Sequence, residues 1–469
     1  MPRRSLEKHF RQFLGCAPAA FLHQERLSRA HQLLRRAPRG IGVTSAAAEC
    51  GLFHFGRFAV AYKARFGQSP SDTLRYARVV NLGGVMPSVM MIATHRPSLA
   101  VLPFESADSC PIEIRDLGEE VAAAVLRTGW VALAPPDGAQ YRLQGRVATG
   151  GNGVHRIRMT LLDSASRRFI WAAVFDSAVT GGGTIEDWVC RVAAQGAGSA
   201  VRDAEIARST RRVAGGAPAW ELGMRALPIL MAADPQSHGQ AAELLHRAVE
   251  IDPRDPVSLA LAAWCHGLRA GHHFTRDATA ERQAAARFAS EAATLPACGA
   301  LVDTILSAAF MLAHNLDASE RHARRALAAD AASSWGWGRL AWIHAYRGES
   351  ATAIECSRIA QTVGLADPLG YLWSIGIAAA SFELGRYGEA VLWYRRAFAA
   401  QPKAVWINRF LAAALALSGD KDAGRDSLAL LNRAMPGLTI DQVRSGLPHT
   451  ASFLDLVAEG LATAGMRHA

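Results

Sequence analysis

Residues 49–71 read ECGLFHFGRFAVAYKARFGQSPS, which is the pattern of the second half of a helix-turn-helix. A short helix over 44–49 comes before a turn at Cys50-Gly51-Leu52. Glycine at this turn can adopt the left-handed backbone that a tight corner between helices needs. A second helix is predicted from His54 to Phe66, and Gly67 suits its C-terminus.

The second helix has two different faces. An apolar stripe with the spacing i, i+3, i+4, i+7 and i+11 consists of Phe55, Phe58, Ala59, Tyr62 and Phe66. The opposite face carries Gly56, Arg57, Val60, Lys63 and Ala64. A small, basic face of this kind could enter a DNA major groove. An ordinary amphipathic helix with a solvated cationic side is the alternative, and this helix by itself does not separate the two.

Positive charge is concentrated around this helix. Residues 1–78 contain 14 lysines and arginines against 4 acidic residues, a net charge of +10, which equals the net charge of the whole chain. The other 391 residues contain 37 basic and 37 acidic side chains and are therefore neutral. A polyanionic partner is expected at the N-terminal end of the chain.

Length and composition favour a folded protein of several domains in the cytoplasm. A chain of 469 residues is too long for one core, so two to four domains are expected. The seven cysteines show no metal-binding spacing and are expected to be reduced thiols. No signal peptide is visible. The apolar stretch 79–93 is too short to span a bilayer, and we predict a linker over 79–95 and no membrane partner.

Two further helices are predicted upstream. Leu6, Phe10, Phe13 and Leu14 form an apolar stripe that ends at Gly15. The opposite side of that helix carries Arg4, Ser5, Lys8, Arg11 and Gln12. Pro18 suits the first turn of the next helix, which Pro38-Arg39-Gly40 interrupts. Its predicted core positions are Phe21, Leu22, Leu27, Ala30, Leu33 and Leu34.

Residues 1–78 resemble the AraC-type DNA-binding domain, in which one long helix joins two helix-turn-helices. The resemblance rests on RRSLEKHFRQFLGCAPAAFLHQERLSRAHQLL (3–34) and VTSAAAECGLFHFGRFAVAYKARFGQSPSDTLR (43–75). It implies binding to double-stranded DNA. The family has two helices before its first recognition helix, whereas this chain begins almost directly on that helix. We therefore expect either a start codon that was assigned too late or an incomplete first reading helix.

The resemblance also implies particular contacts with DNA. Gly56 and Val60 stand where the family more often has polar or basic residues, which leaves Arg57 as the candidate for a guanine and Val60 for a thymine methyl. His54 lies at the edge of this face. The predicted phosphate contacts are Arg35, Arg36, Lys63, Arg65 and Arg75. The predicted DNA contacts of the first recognition helix are Arg4, Ser5, Lys8 and Arg11. For each charged residue, a solvated surface position is the alternative.

Residues 96–210 have the pattern of a small α/β domain. Strands are predicted over 98–104, 141–147, 155–161 and 169–175, with helices over 114–127 and 184–201 and a glycine-rich hairpin turn at 149–153. The runs RPSLAVLPF, YRLQGRV, RIRMTLLD and WAAVFD resemble the TolB amino-terminal domain. The glycines at 150, 151, 153 and 181–183 lack the Lys-Ser/Thr of a phosphate loop.

Residues 216–469 have the pattern of tetratricopeptide repeats. Pro368, Pro402 and Pro436 recur every 34 residues, and Gly385 and Gly419 recur with the same period. Five to seven helix pairs are expected, stacked into an α-solenoid with a groove for a protein or peptide. The tryptophans at 335, 337, 342, 373, 393 and 406 are expected to pack between helices rather than to line this groove. His266, His272 and His273 are predicted to be loop histidines rather than metal ligands.

The sequence therefore predicts a multidomain, mainly α protein that regulates transcription, with a sensor or protein-interaction part at its C-terminal end. The alternative is a signalling scaffold whose DNA-binding domain is vestigial. No nucleophile–base pair, metal cluster or nucleotide loop supports an enzyme, and no cofactor or metal is predicted. A homodimer is left open.

Overall fold

A computed structural model describes residues 18–36, 42–66, 69–71, 73–74, 96–106, 114–149, 155–176, 185–211, 216–296, 299–364 and 367–468. The chain divides into two compact units, Met1–Ala93 and Thr94–Ala469. The predicted linker over 79–95 lies outside the described residues. The sheet module and the helical array, predicted as separate domains, belong to the same compact unit.

The described part of the first unit includes the helices α1 (Pro18–Arg36), α2 (Val43–Glu49) and α3 (Phe55–Phe66), followed by helical residues at 70–71 and 73–74. Their buried core contains Leu27, Ala30, Leu34, Ala46, Ala47, Cys50, Leu52, Phe58, Tyr62 and Leu74. The start of α1 at Pro18 agrees with the predicted first-turn proline. Leu22, predicted in the core, is instead 50% exposed.

The second unit begins with a two-layer α/β module. Its strands are β1 (Ser98–Val101), β2 (Glu105–Ser106), β3 (Ala132–Leu133), β4 (Tyr141–Thr149), β5 (His155–Asp163) and β6 (Arg168–Asp176). Its helices are α4 (Ile114–Thr128) and α5 (Ile185–Arg211). Each predicted strand and helix is present, and the short strands β2 and β3 are additional.

The order of strands in the sheet is β3-β1-β4-β5-β6. β1 runs parallel to β3 and β4, whereas β4, β5 and β6 are antiparallel neighbours. The β4–β5 ladder runs from Tyr141–Asp163 to Thr149–His155, which agrees with the predicted hairpin. Apolar residues of α4 and α5 pack on one face of the sheet, so that face forms the core of the module.

The rest of the second unit is an array of helices. They are α6 (Ala219–Ala232), α7 (His238–Ile251), α8 (Pro256–Gly271), α9 (Ala278–Thr294), α10 (Ala300–Leu312), α11 (Leu316–Ala329), α12 (Ser334–Tyr346), α13 (Ser350–Val363), α14 (Gly370–Glu383), α15 (Tyr387–Ala400), α16 (Asn408–Leu417), α17 (Lys421–Ala434), α18 (Ile440–Gly446) and α19 (Ala451–Thr463). Consecutive helices from α6 to α17 form six pairs, within the predicted five to seven. The array shares one continuous apolar core. None of the described helices is both long enough and apolar enough to cross a bilayer.

Four of the six tryptophans pack inside the array, as predicted, whereas Trp337 and Trp393 are only partly buried against its core. Trp335, Trp342, Trp373 and Trp406 are all 7% exposed or less. The prediction of loop histidines is wrong for His266, which lies inside α8 with its Nδ1 2.5 Å from Glu281 Oε2. The described residues contain no group of three or more histidine, cysteine or acidic side chains that could hold a metal.

Candidate nucleic-acid interface

The corner between α2 and α3 is closed by backbone hydrogen bonds. The Leu52 N–H donates to Ala47 O and the Gly51 N–H donates to Ala48 O, both at 2.9 Å, which is the Schellman arrangement. Gly51 has a φ of +73°, a region that glycine enters without a steric penalty. Arg26 on α1 also donates from Nη1 to Gly51 O at 3.3 Å. The predicted glycine turn is therefore present.

Two aromatic residues of α3, Phe58 and Tyr62, hold it against α1. Phe58 is 2% exposed and Tyr62 is fully buried. The Tyr62 hydroxyl donates to Thr73 Oγ1 at 2.9 Å and lies 2.6 Å from His31 Nδ1 on α1. The His31 ring also stacks on Phe66, with 4.2 Å between centroids. Because these contacts involve one side of α3 only, they leave its other side in solvent.

The solvent-facing side of α3 carries several of the residues predicted to touch DNA. His54, Gly56, Arg57, Val60 and Lys63 are all exposed, and Val60 keeps 72% of its surface in solvent. No acidic residue occurs in α3. This surface is therefore cationic, with Arg57 and Lys63, and it carries one exposed apolar side chain, Val60.

Arg65 lies on a different side of α3 from the predicted reading face. It follows Phe58 by seven residues, which in an α-helix is nearly the same direction. Its Nη2 donates to Ser28 Oγ of α1 at 3.2 Å, and its guanidinium lies 5.7 Å from the Phe66 ring centroid. Arg65 is therefore an exposed residue whose side chain links α3 to α1 at the surface.

The remaining predicted contacts are only partly visible. Arg4, Ser5, Lys8 and Arg11 lie outside the described residues, as does Arg75. Arg36 is the last residue of α1, but its side chain and that of Arg35 are not among those described. Only the α3 residues can therefore be placed on one surface.

Sequence reasoning missed two exposed aromatic residues at the start of α3. Phe53 is 71% exposed and Phe55, predicted to lie in the core stripe, is 44% exposed. Phe55 has the helical phase of Tyr62, since seven residues separate them. It lies in the first turn of α3, where a helix end can project beyond its packing partners. The double aromatic next to His54 was the available signal for an exposed edge.

Comparison with known proteins agrees with this geometry. A family profile described as a helix-turn-helix domain matches residues 1–76. The probable thc operon regulatory protein of Rhodococcus erythropolis is 45% identical over 73 residues, which are 15% of this chain and 22% of that protein. The XylDLEGF operon transcriptional activator of Pseudomonas putida is 33% identical over 79 residues, 17% of this chain and 25% of that protein.

Residues 1–76 are an AraC-type helix-turn-helix domain. The transcriptional regulator GbdR of Pseudomonas aeruginosa is similar as well, with 28% identity over 123 residues, 26% of this chain and 30% of that protein. The chain thus spans about a quarter of the length of these regulators.

Similarity to solved structures is weaker. The crystal structure of the APC/C hetero-tetramer Cut9-Hcn1 is 12% identical, with a TM-score of 0.38 over 61% of this chain and 50% of that chain. Pseudomonas aeruginosa pilF is 14% identical, with a TM-score of 0.32 over 55% and 99%. The resemblance of residues 96–210 to the TolB amino-terminal domain stays a prediction.

Proposed function

We propose that this chain is a transcription regulator that reads double-stranded DNA with α3 of its AraC-type domain. The observation that carries the proposal is the exposed, acid-free face of α3, which follows a closed helix-turn-helix corner. A helix held by one aromatic side offers its other side to a major groove, which is wide enough to admit it.

Each residue of this face has a different part in the proposed contact. Arg57 presents a planar guanidinium that can donate two hydrogen bonds to O6 and N7 of guanine. Val60 offers an apolar surface for the methyl group of thymine. Gly56 has no side chain, and a Cβ built on it would meet nothing within 4 Å in the free protein. It therefore allows the start of α3 to approach a base edge closely.

Phosphate contacts are proposed to supply most of the affinity. Lys63 is exposed near the end of α3, and the predicted Arg36 contact is retained in the proposal. Residues 1–78 carry all of the chain's net charge, so binding should weaken steeply with added salt. Arg65 is removed from the predicted reading face, and we assign it to positioning α3 against α1.

The sheet module and the array are proposed to control the output of the AraC-type domain. A protein or peptide partner for the array, and a homodimer that would bind two half-sites, both stay predictions. The alternative is the signalling scaffold. It is favoured by the lack of hydrogen-bonding side chains at Gly56 and Val60, and by the extent of the array, whose helices run from Ala219 to Thr463.

Binding of the full chain to DNA from its own promoter region would test the proposal. We expect the chain to retard this DNA in a gel and to leave a footprint with defined edges. Added salt should weaken both signals, and unlabelled specific DNA should compete more strongly than unlabelled random DNA. A chain that retains no duplex DNA even at low ionic strength would overturn the regulator proposal and favour the scaffold.

A further inference from the structure

The helical array contains a cavity of about 40 Å3. It is lined mostly by aromatic and aliphatic side chains from α6, α8, α10, α12 and α14. Polar groups are few, and among them are Arg339 and His272. Trp264, Trp342 and Trp406 form part of the wall. An apolar pocket with a few convergent polar groups is the usual form of a small-molecule site.

Arg339, on α12, is a buried cation with unsatisfied donors. It is 3% exposed, and its Nε and Nη2 have no hydrogen-bond partner. The negative charge of Asp367 acts on Arg339, but within the described residues the two form no ion pair. The Asp367 oxygens instead accept hydrogen bonds from Ser334 and Trp335. The guanidinium lies 5.3 Å from the Trp264 ring centroid, a cation–π contact that compensates only part of the lost hydration.

A second buried arginine, Arg409 on α16, lies behind the cavity wall. It is 1% exposed, and its Nη2 donates to His272 Nδ1, while Nε and Nη1 are without a partner. Its guanidinium lies 5.6 Å from the Trp406 ring centroid. His272 stacks on Trp406 with 4.2 Å between centroids, so Arg409 reaches the cavity through two of its lining side chains.

Both guanidiniums are charged at neutral pH. Burial lowers the pKa of Arg339 and of Arg409, in each case to about 10, which is still well above 7. Burial also lowers the pKa of His272 far below its ordinary value, and the Arg409 charge adds to this, so His272 is a neutral acceptor. The interior around the cavity therefore holds two positive charges and no carboxylate paired with them among the described residues.

We infer that this cavity binds a small organic carboxylate, with its anionic group on Arg339 and its apolar part against the tryptophans. A guanidinium and a carboxylate are both planar and can form two parallel hydrogen bonds. One water needs roughly 10–15 Å3, so the cavity has room only for a carboxylate of a few heavy atoms, in the size class of acetate and propionate. The aromatic wall favours an anion with an apolar body over an inorganic ion. This site belongs to the array and does not depend on DNA binding.

Titration of the full chain with sodium propionate would test the site. Propionamide, which has a similar shape and no charge, is the matched control, and sodium chloride and sodium phosphate at equal ionic strength control for salt. We expect propionate to raise the melting temperature and to change tryptophan fluorescence, since Trp264, Trp342 and Trp406 line the cavity. Equal responses to propionate and propionamide, or to propionate and chloride or phosphate, would overturn the inference.

Substitution of Arg339 tests the role of its charge. We expect Arg339→Met to weaken propionate binding roughly tenfold to a hundredfold, as for loss of hydrogen bonds to a charged group. The unliganded variant should melt at least as high as the native chain, because it no longer buries an unsatisfied cation. Arg358→Met, the same change at an exposed position of α13, should bind like the native chain.

An Arg339→Met variant that keeps the full propionate response would show that the anion binds elsewhere. A variant that melts far below the native chain would indicate a structural arginine. In that case Arg339→Lys decides, since it keeps the charge but not the planar donors. If Arg339→Lys binds propionate as tightly as the native chain, the contact is not a two-bond guanidinium–carboxylate pair.

Discussion

At the scale of single residues, Arg57 and Arg65 differ although both are cations on α3. Arg57 is exposed on the side away from α1, whereas Arg65 donates to Ser28 of α1. The difference follows from helical phase, because Arg65 is seven residues beyond the buried Phe58. From the sequence alone, both arginines were predicted to contact DNA.

Replacing Arg57 with alanine should relax or abolish site-specific DNA binding. Loss of a two-bond contact with guanine is expected to cost about 1–3 kcal/mol of discrimination between bases. Arg36→Ala is the matched control, since a lost phosphate contact should weaken all sequences evenly and reduce the salt slope by about one. Gel-shift titrations with specific and random duplexes measure both. Full specificity in Arg57→Ala would remove this residue from the interface.

The buried His238 makes the second unit sensitive to acid. Burial, with a smaller contribution from Arg269, lowers the pKa of His238 from 6.5 to about 4, against the opposing effects of Asp234 and Glu281. Below pH 6.5 the His238 imidazole is protonated in the unfolded chain, whereas in the folded chain it stays neutral down to about pH 4. Stability is therefore lost as pH falls through this range.

Between pH 7.5 and pH 5, the free energy of unfolding should fall by about 2 kcal/mol less in His238→Leu than in the native chain. Denaturant unfolding at the two pH values measures this difference. The control is His468→Leu, the same change at an exposed histidine, which removes no buried imidazole. Identical acid sensitivity of His238→Leu and the native chain would contradict a neutral, buried imidazole.

At the scale of elements, the position of α3 depends on the α2–α3 corner. Gly51 has positive φ, and a Cβ at this residue would lie 3.3 Å from Arg26 Cζ. Most of the corner is recognisable in the sequence, because a glycine and two short amphipathic helices have a local signature. The exposure of Phe55 is not, since it depends on where the partner helices end.

Gly51→Ala should loosen this corner by about 1 kcal/mol or more, the cost of a left-handed backbone for a residue with a Cβ. Gly56→Ala is the matched control, because Gly56 is helical, exposed and free of steric neighbours. It should be neutral or slightly stabilising. Hydrogen exchange of residues 43–66 in the full chain measures both changes. Equal protection in Gly51→Ala and the native chain would show that the corner does not need glycine.

At the scale of the whole molecule, the two compact units divide the charge between them. The excess of cations belongs to the first unit, while the second is balanced. Within the second unit, Glu205 of α5 joins the sheet module to the array. It accepts hydrogen bonds from Gln140 and Tyr141 of the module, from Arg208 of its own helix and from Trp220 of α6.

Glu205→Leu should destabilise the second unit by about 3 kcal/mol or more, because buried donors lose their shared acceptor. Denaturant unfolding measures the change, and Glu250→Leu, an exposed glutamate of α7, controls for the loss of charge. Glu205→Gln keeps the shape and one acceptor oxygen and should fall between the two. Native stability of Glu205→Leu would show that the module and the array do not depend on this carboxylate.

The sequence by itself determined the helix-turn-helix, the alternation of strands, the 34-residue repeat and the segregation of charge. These features repeat over a few residues or follow from counting, so local geometry is enough to reveal them. Only the tertiary structure decided that Arg65 contacts α1, that His266 is buried in a helix, and that Arg339 and Arg409, each with unsatisfied donors, lie near one cavity. Those properties depend on which distant helices meet, and no pattern within a single segment records them.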